Sequence, residues 1–160
     1  MRKVAIIGIA FLLALPLSFL APELKANASA NCYASTCTGE QAETEGCSAD
    51  AYTAETVKIY DLILTAQEDG YVQLRYSPTC RSTWAKVFWT PTGAEVVTEY
   101  PWAKVQSSKA SLHESCTVST TGSECQTAMI DDLNPLTSVA SGGVPGFNES
   151  FNSASTSPPF

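Results

Sequence analysis

Cationic and aromatic side chains are interleaved in one short part of this sequence, between residues 71 and 86. On an open sheet, aromatic rings beside cations suit a glycan or an anionic polymer. The alternative role is structural, because a covered arginine has to be paired with backbone carbonyls or with an acidic neighbour. The candidate ligand-binding residues are Tyr71, Arg75, Arg81, Trp84 and Lys86.

Catalytic chemistry finds less support. A nucleophile needs a positioned base, and the only histidine, His113, precedes Cys116 by three residues. In an oxidising compartment Cys116 has a nearby disulfide partner in Cys125, so we do not expect a thiolate there. The adjacent Asp131 and Asp132 would point to opposite faces of a strand and would not share a substrate. We therefore predict no catalytic residues.

Cofactors are not expected either. A calcium site built from Asp131, Asp132 and Asn134 does not fit the spacing of an EF-hand loop. The sequence contains no H-E-x-x-H motif and no phosphate-binding glycine loop. We predict that the protein holds neither a metal nor another cofactor.

Six cysteines form the strongest structural signal: Cys32, Cys37, Cys47, Cys80, Cys116 and Cys125. An even number in an exported chain predicts three disulfides. Zinc is the competing interpretation, but the sequence has no C-x-x-C motif and a single histidine. Six cysteines allow fifteen pairings, which the sequence leaves open. We prefer to pair them in order along the chain, so that the middle disulfide ties the N-terminal segment to the loop at 77–82.

The first thirty residues have the layout of a secretory signal peptide. Arg2 and Lys3 precede an apolar run, Pro16 interrupts it, and small residues at 28–30 offer a cleavage site. Removing residues 1–30 takes away a net charge of +2 and changes the formal charge from −7 to −9. A chain this acidic is a poor candidate for binding nucleic acid or an anionic membrane. We expect a secreted, extracellular protein with no membrane association after cleavage.

The remaining chain is divided into a disulfide-stapled β domain at 31–141 and a disordered Ser/Gly/Pro tail at 142–160. Residues 57–65, 71–77, 83–89, 94–100 and 102–107 have the composition of strands, residues 127–130 suggest a last strand, and Asp69-Gly70 is typical of a hairpin turn. Residues 107–124 are polar and indicate a surface excursion. The predicted fold is mainly β, a small antiparallel sandwich or barrel.

The register of the hairpins decides which side chains share a face. With Arg75 opposite Trp84, four of the candidate residues (Tyr71, Arg75, Trp84 and Lys86) share one face, and residues 72, 74, 76, 85, 87 and 89 form a core face. If Asp69-Gly70 is a two-residue turn, Leu64 lies opposite Arg75 and the candidate face also becomes apolar. Such a face would be covered, so we favour a structural role for Arg75.

The same residues resemble a known family. Cys32-x4-Cys37-x-Gly39, Cys47-Ser-Ala-Asp50, and the block LRYSPTCRSTWAK at 74–86 are similar to an exported bacterial family called domain of unknown function 2690. Residues 127–131, TAMID, resemble its closing strand. Lys86 stands where arginine is usual, and Cys116 and Cys125 are an additional pair. The resemblance implies a small secreted disulfide domain and brings no activity with it.

These observations favour a secreted, non-catalytic accessory or binding domain at the cell surface. The expected partners are a cell-envelope polymer or another secreted protein. Two alternatives are a hydrolase whose carboxylates are assembled by folding, and a secreted inhibitor that presents the loop at 77–82.

Overall fold

The computed structural model describes residues 29–60, 68–90, 100–119, 123–144 and 152–156. Within these residues the fold is almost entirely antiparallel β, and the predicted fold class is confirmed as a sandwich rather than a closed barrel. Two short 3-10 helices precede the sheets, at Ala34–Cys37 and Cys47–Ala49. The strands are β1 (Tyr52–Tyr60), β2 (Glu68–Ser77), β3 (Ser82–Trp89), β4 (Trp102–Ser107), β5 (His113–Thr117), β6 (Glu124–Gln126), β7 (Ile130–Asp131), β8 (Ser138–Gly143) and β9 (Asn152–Thr156).

The strands form two sheets that pack face to face. The first sheet has the order β1-β2-β3-β6, and β7 pairs with β3 beyond the end of β6. The second has the order β5-β4-β8-β9. Strands β1, β2, β3 and β6 contact β9, β8, β4 and β5, respectively. The two sheets are therefore stacked in the same strand order, with β2 and β3 also contacting β9 and β8, respectively.

The core between the sheets follows from alternation along the strands. In β2, Val72 and Leu74 are buried while Tyr71 and Gln73 are only partly buried, as expected for a strand with one core face. Ala85 and Val87 of β3 and Val105 of β4 complete the centre of the core. The core face predicted from the sequence is therefore correct for β2 and β3.

A second apolar cluster lies on the opposite face of the first sheet. Its members are Cys37, Ala42, Cys47, Cys80, Trp84 and Met129, all buried. Residues 31–50, which we call the N-terminal segment, form this cluster together with one end of β2 and β3. The segment therefore covers part of a face that would otherwise be exposed.

The predicted hairpin turn at Asp69-Gly70 is wrong. These residues belong to β2, where Gly70 pairs with Ile59 of β1 and with Trp89 of β3. A β-carbon on Gly70 would collide with the carbonyl oxygen of Phe88. The glycine is required by the close approach of two strands rather than by a turn, and the sequence does not distinguish these two uses.

The C-terminal part of the domain also needs correction. The polar excursion at 107–124 contains β5. The strand predicted at 127–130 is wrong for 127–129, since only Ile130 belongs to a strand, β7, and β8 and β9 follow it. Residues 142 and 143 end β8, and 152–156 pair with it as β9, so the predicted disordered tail at 142–160 is wrong for these positions. The proposed signal peptide (except residues 29 and 30) and the strand expected at 94–100 (except Tyr100) lie outside the described residues.

Candidate functional site

The register between β2 and β3 places the candidate residues as expected. Arg75 lies opposite Trp84, and Tyr71 lies opposite Phe88. The register between β1 and β2 differs from the expectation, because Lys58, not Glu68, lies opposite Tyr71. The face gains polar residues of β1 in place of the predicted leucines. We call its six central residues the outer face: Thr56, Lys58, Tyr71, Gln73, Lys86 and Phe88.

Two aromatic rings form the centre of the outer face. The ring centroids of Tyr71 and Phe88 are 4.7 Å apart, with an interplanar angle of 27°. Lys86 Nζ lies 4.5 Å from the centroid of the Phe88 ring, within the range of a cation–π contact. Both rings are half-buried, so each retains solvent-accessible surface for a ligand.

The lysines of this face are paired with carboxylates. Lys86 Nζ lies 3.1 Å from Glu124 Oε2, and Lys58 Nζ lies 2.6 Å from Glu68 Oε2. Both pairs are partly exposed to water, where an ion pair contributes little to stability. Their consequence is electrostatic. Glu68 and Glu124 neutralise the two lysines, so the outer face together with these carboxylates has no net positive charge that would attract a polyanion.

Arg75 is held by the protein itself. Its Nη1 donates to Thr53 Oγ1 at 3.0 Å, and its Nη2 donates to the carbonyl oxygen of Ala51 at 3.3 Å. These contacts tie β2 to the beginning of β1. The guanidinium is thereby engaged in the structural manner that the sequence analysis favoured.

Trp84 does not line an open surface. Only 1% of the residue is exposed, because the N-terminal segment packs over it. Its Nε1–H has no hydrogen-bond acceptor among the described residues. The apolar indole is therefore the anchor of the second cluster, a placement that long-range disulfides determine and local sequence does not show.

The loop at 77–82 is a fixed corner organised by Asp50, a residue that the sequence analysis did not single out. Asp50 Oδ1 accepts a hydrogen bond from Ser77 Oγ at 2.6 Å, and Oδ2 accepts one from the Thr79 N–H at 2.9 Å. Partial burial raises the pKa of Asp50, but the hydrogen bonds from Ser77 and Thr79 outweigh it and bring the pKa below its usual value. Arg81 leaves this corner with φ of 52° and donates to the Tyr76 hydroxyl at 3.1 Å.

The candidate catalytic groups do not assemble. His113 is exposed on β5, and Cys116 is bonded to Cys125. Asp131 Oδ1 accepts a hydrogen bond from the Leu133 N–H, whereas Asp132 is buried with 1% exposure. The two carboxylates are therefore in different environments, although β7 ends at Asp131 and Asp132 lies just beyond it.

Asp132 belongs to a buried polar chain. Its Oδ1 accepts from Ser138 Oγ at 2.6 Å, and Ser138 Oγ in turn accepts from Thr83 Oγ1 at 2.9 Å. Its Oδ2 has no hydrogen-bond donor in the part of the chain that the structure describes. Burial raises the pKa of Asp132 to about 6, although the Ser138 hydrogen bond opposes the increase.

The six cysteines form three disulfides: Cys32–Cys37, Cys47–Cys80 and Cys116–Cys125. This is the pairing that we preferred from the sequence. The first two bonds lie side by side, and their four sulfur atoms are all within 4.8 Å of one another. The third joins β5 to β6 and therefore links the two sheets at one edge.

Comparison with known proteins gives a family without a described activity. No curated protein and no solved structure matches the chain. Among the described residues, no helix has the length and apolar character needed to cross a membrane. The family described as "Protein of unknown function (DUF2690)" matches residues 35–141, which include all but the first residue of the first 3-10 helix, the second 3-10 helix, strands β1 to β7 and most of β8. The chain belongs to this family.

Proposed function

We propose that this protein is a secreted, non-catalytic binding domain whose outer face binds a neutral carbohydrate chain of the cell envelope. The observation that carries the proposal is the half-exposed pair of Tyr71 and Phe88 at the centre of that face. Aromatic rings offer apolar area to the C–H surface of a sugar ring while ordering few rotatable bonds.

Polar neighbours supply the hydrogen-bonding groups that a sugar requires. Gln73 lies beside Tyr71 on β2 and faces Thr56 of β1 and Lys86 of β3. An amide and a hydroxyl both donate and accept hydrogen bonds, as do the hydroxyl groups of a sugar. The outer face therefore combines apolar contact with orientation-dependent polar contact, as small-ligand sites do.

The charge balance favours a neutral ligand over an anionic one. Lys58 and Lys86 are paired with carboxylates, and the chain carries a formal charge of −7. A polyanion would have to displace those carboxylates and would be repelled by the protein as a whole. Nucleic acid and anionic membranes are disfavoured as partners for the same reason.

Export is supported by two independent features. The apolar N-terminal run has the layout of a signal peptide, and the three disulfides are compatible with an extracellular location. An extracellular domain with a sugar-binding face would have the cell envelope as its nearest source of polysaccharide.

The test is a binding assay with two probes, a neutral oligomer of N-acetylhexosamine and an anionic glycerol-phosphate polymer. We expect the neutral oligomer to bind and its affinity to be insensitive to salt. Phe88→Ala and Tyr71→Ala should each weaken binding roughly tenfold, since an aromatic contact contributes about 1.4 kcal/mol.

The matched control is Tyr33→Ala, since Tyr33 is 53% exposed but belongs to the N-terminal segment. It should leave the affinity unchanged, and thermal unfolding should show that all three variants fold. Unchanged binding by folded Phe88→Ala and Tyr71→Ala variants would contradict the assignment of the outer face. Salt-sensitive binding of the anionic polymer alone would contradict the assignment of the ligand.

A second candidate function is inhibition of another secreted protein by the loop at 77–82. The favouring observation is that Pro78 and Thr79 are exposed while Asp50 fixes the loop, and a rigid loop loses little entropy on binding. Inhibition of a panel of secreted peptidases, lost in Pro78→Gly, would support this function over the first.

A further inference from the structure

We propose that the reduced protein binds one Zn²⁺ ion between the sulfur atoms of Cys32, Cys37, Cys47 and Cys80. The two disulfides would then be the oxidised state of a four-cysteine centre. This inference concerns the N-terminal segment and is independent of the proposed function of the outer face.

The four sulfur atoms are clustered closely enough to reach the corners of a tetrahedral site once the two disulfides are open. Zinc binds thiolate at about 2.3 Å, so two sulfurs of a regular tetrahedron are about 3.8 Å apart. All four sulfurs lie within 4.8 Å of one another. Cys32 Sγ and Cys47 Sγ, which belong to different disulfides, are 3.6 Å apart, already near the edge of such a tetrahedron.

The chemistry of the site suits a structural ion. The donor set consists of sulfur alone, and four thiolates leave no open position for water or substrate. Cys37, Cys47 and Cys80 are fully buried, and Trp84 and Met129 pack against them. Cys32 is only partly buried, which provides a route by which an ion enters the site.

The N-terminal segment is also held in place by hydrogen bonds that do not involve sulfur. The Ala34 N–H donates to the Cys80 carbonyl at 2.7 Å, and the Gly39 N–H donates to the Met129 carbonyl at 2.9 Å. The Met129 N–H returns a bond to the Glu40 carbonyl at 2.8 Å. These bonds keep the cysteines close together after the disulfides have been cleaved.

This site cannot be recognised from a short cysteine motif in the sequence. Zinc motifs place two to four residues between paired cysteines. Four residues separate Cys32 from Cys37, but Cys47 and Cys80 are 33 positions apart. The expectation that zinc is absent was based on the lack of a C-x-x-C motif and on the single histidine. Folding, rather than a short motif, brings the four sulfurs together.

A phosphine supplies the two electrons that are needed to reduce each disulfide. Each disulfide is cleaved to two thiols by one phosphine and one water, and the phosphine becomes its oxide. Binding of the ion then releases one proton from each of the four thiols, so affinity should fall as the pH is lowered. The metal and the two disulfides are therefore alternative cross-links that hold the N-terminal segment against the first sheet.

The test is a cobalt titration of the full chain after anaerobic reduction with a phosphine. Co²⁺ in a four-thiolate site gives strong thiolate-to-metal charge-transfer absorption and the visible bands of tetrahedral cobalt. We expect saturation at one equivalent and loss of the bands when Zn²⁺ displaces the cobalt. Absence of these bands would overturn the proposal.

Two double variants locate the ion. Cys116→Ser with Cys125→Ser should retain one equivalent of cobalt, whereas Cys37→Ser with Cys80→Ser should lose it. Retention of the bands in the second variant would also overturn the proposal. Alkylation of the reduced wild-type chain provides a measurement that does not depend on the folding of either variant. One equivalent of Zn²⁺ should protect four of the six cysteines, and protection of any other set would contradict the site.

Discussion

The two ends of one face of the first sheet differ in how far they are covered by the rest of the protein. Around Trp84, the N-terminal segment and two disulfides cover the face completely. Around Tyr71 and Phe88, about four residues farther along the same strands, the face is only partly buried. Both ends combine an aromatic residue with a cation, because Arg75 lies opposite Trp84 and Lys86 contacts the ring of Phe88. The composition of a face therefore does not determine its role, because coverage by a distant segment decides it.

The largest expected contrast is in the free energy of unfolding, between two aromatic truncations four residues apart on β3. Trp84→Ala should lower the free energy of unfolding by about 3–5 kcal/mol, because it leaves a cavity in a buried cluster. Phe88→Ala, at the uncovered end, should cost no more than about 1.5 kcal/mol because the ring is already partly solvated. Urea unfolding of both variants measures the difference, and equal losses would remove the distinction between the two ends.

The disulfides provide the second contrast. Cys47 and Cys80 are separated by 33 residues, whereas Cys116 and Cys125 are separated by 9. Chain entropy gives a stabilisation of about 3.7 kcal/mol for the longer loop and about 2.6 kcal/mol for the shorter one. Replacing each pair by alanine should reproduce this order in thermal unfolding. The reverse order would indicate that the covered end is held mainly by contacts other than the disulfide.

A third prediction concerns pH. The folded pKa of Asp132 is about 6, above the ordinary value of 3.8, so the folded protein retains a proton that the unfolded chain has already released. The contribution of this group to the free energy of unfolding is therefore greatest below about pH 4. It falls as the pH rises to about 6 and does not change further above that. The fall amounts to about 3 kcal/mol at most.

The variant Asp132→Asn removes the ionisation while keeping the shape of the side chain. Its stability should not show this decline, so the difference between wild type and variant should change between pH 4 and pH 7. Asp50 has the opposite sign, because its lowered pKa contributes stability that is lost as the pH falls. Parallel stability curves for wild type and Asp132→Asn would refute the assignment.

The smallest effect is expected at the uncovered end. Glu124→Gln breaks the ion pair with Lys86, which is partly exposed to water and should contribute less than about 0.5 kcal/mol. The variant gives the outer face a net positive charge. It should therefore leave unfolding almost unchanged while strengthening binding of the anionic polymer at low salt, and a loss of stability above 1 kcal/mol would show that the pair is structural.

The sequence predicted those parts of the fold that depend on local alternation. The supposed register, with Arg75 opposite Trp84, assigned the apolar side chains at 72, 74, 85 and 87 to one core face, and the structure has that register. The order of the disulfides was also anticipated, although spacing alone could not exclude the other pairings. These features need only neighbouring residues and the covalent geometry of cysteine.

The remaining features depend on contacts between distant residues. Gly70 has a turn-like neighbour in Asp69 but is required by the backbone of β3. The strand β8 is rich in serine and glycine, and Gly142 is buried against Val72 and Trp102 rather than placed in a loop. The cover over Trp84 and the burial of Asp132 likewise arise only when separate segments meet. No local pattern distinguishes these positions from ordinary loops.

The disulfide between Cys47 and Cys80 also determines how the domain would respond to mechanical force. A pulling force applied at the two ends of the chain passes across this bond and bypasses β1 and β2, which lie between the two cysteines. The 33-residue separation corresponds to about 110 Å of extended chain. The enclosed segment cannot be extended by the force until the disulfide is reduced. Under a pulling force, a protein with this connection would therefore extend by a shorter distance when it unfolds. The segment that contains β1 and β2 would remain a closed loop.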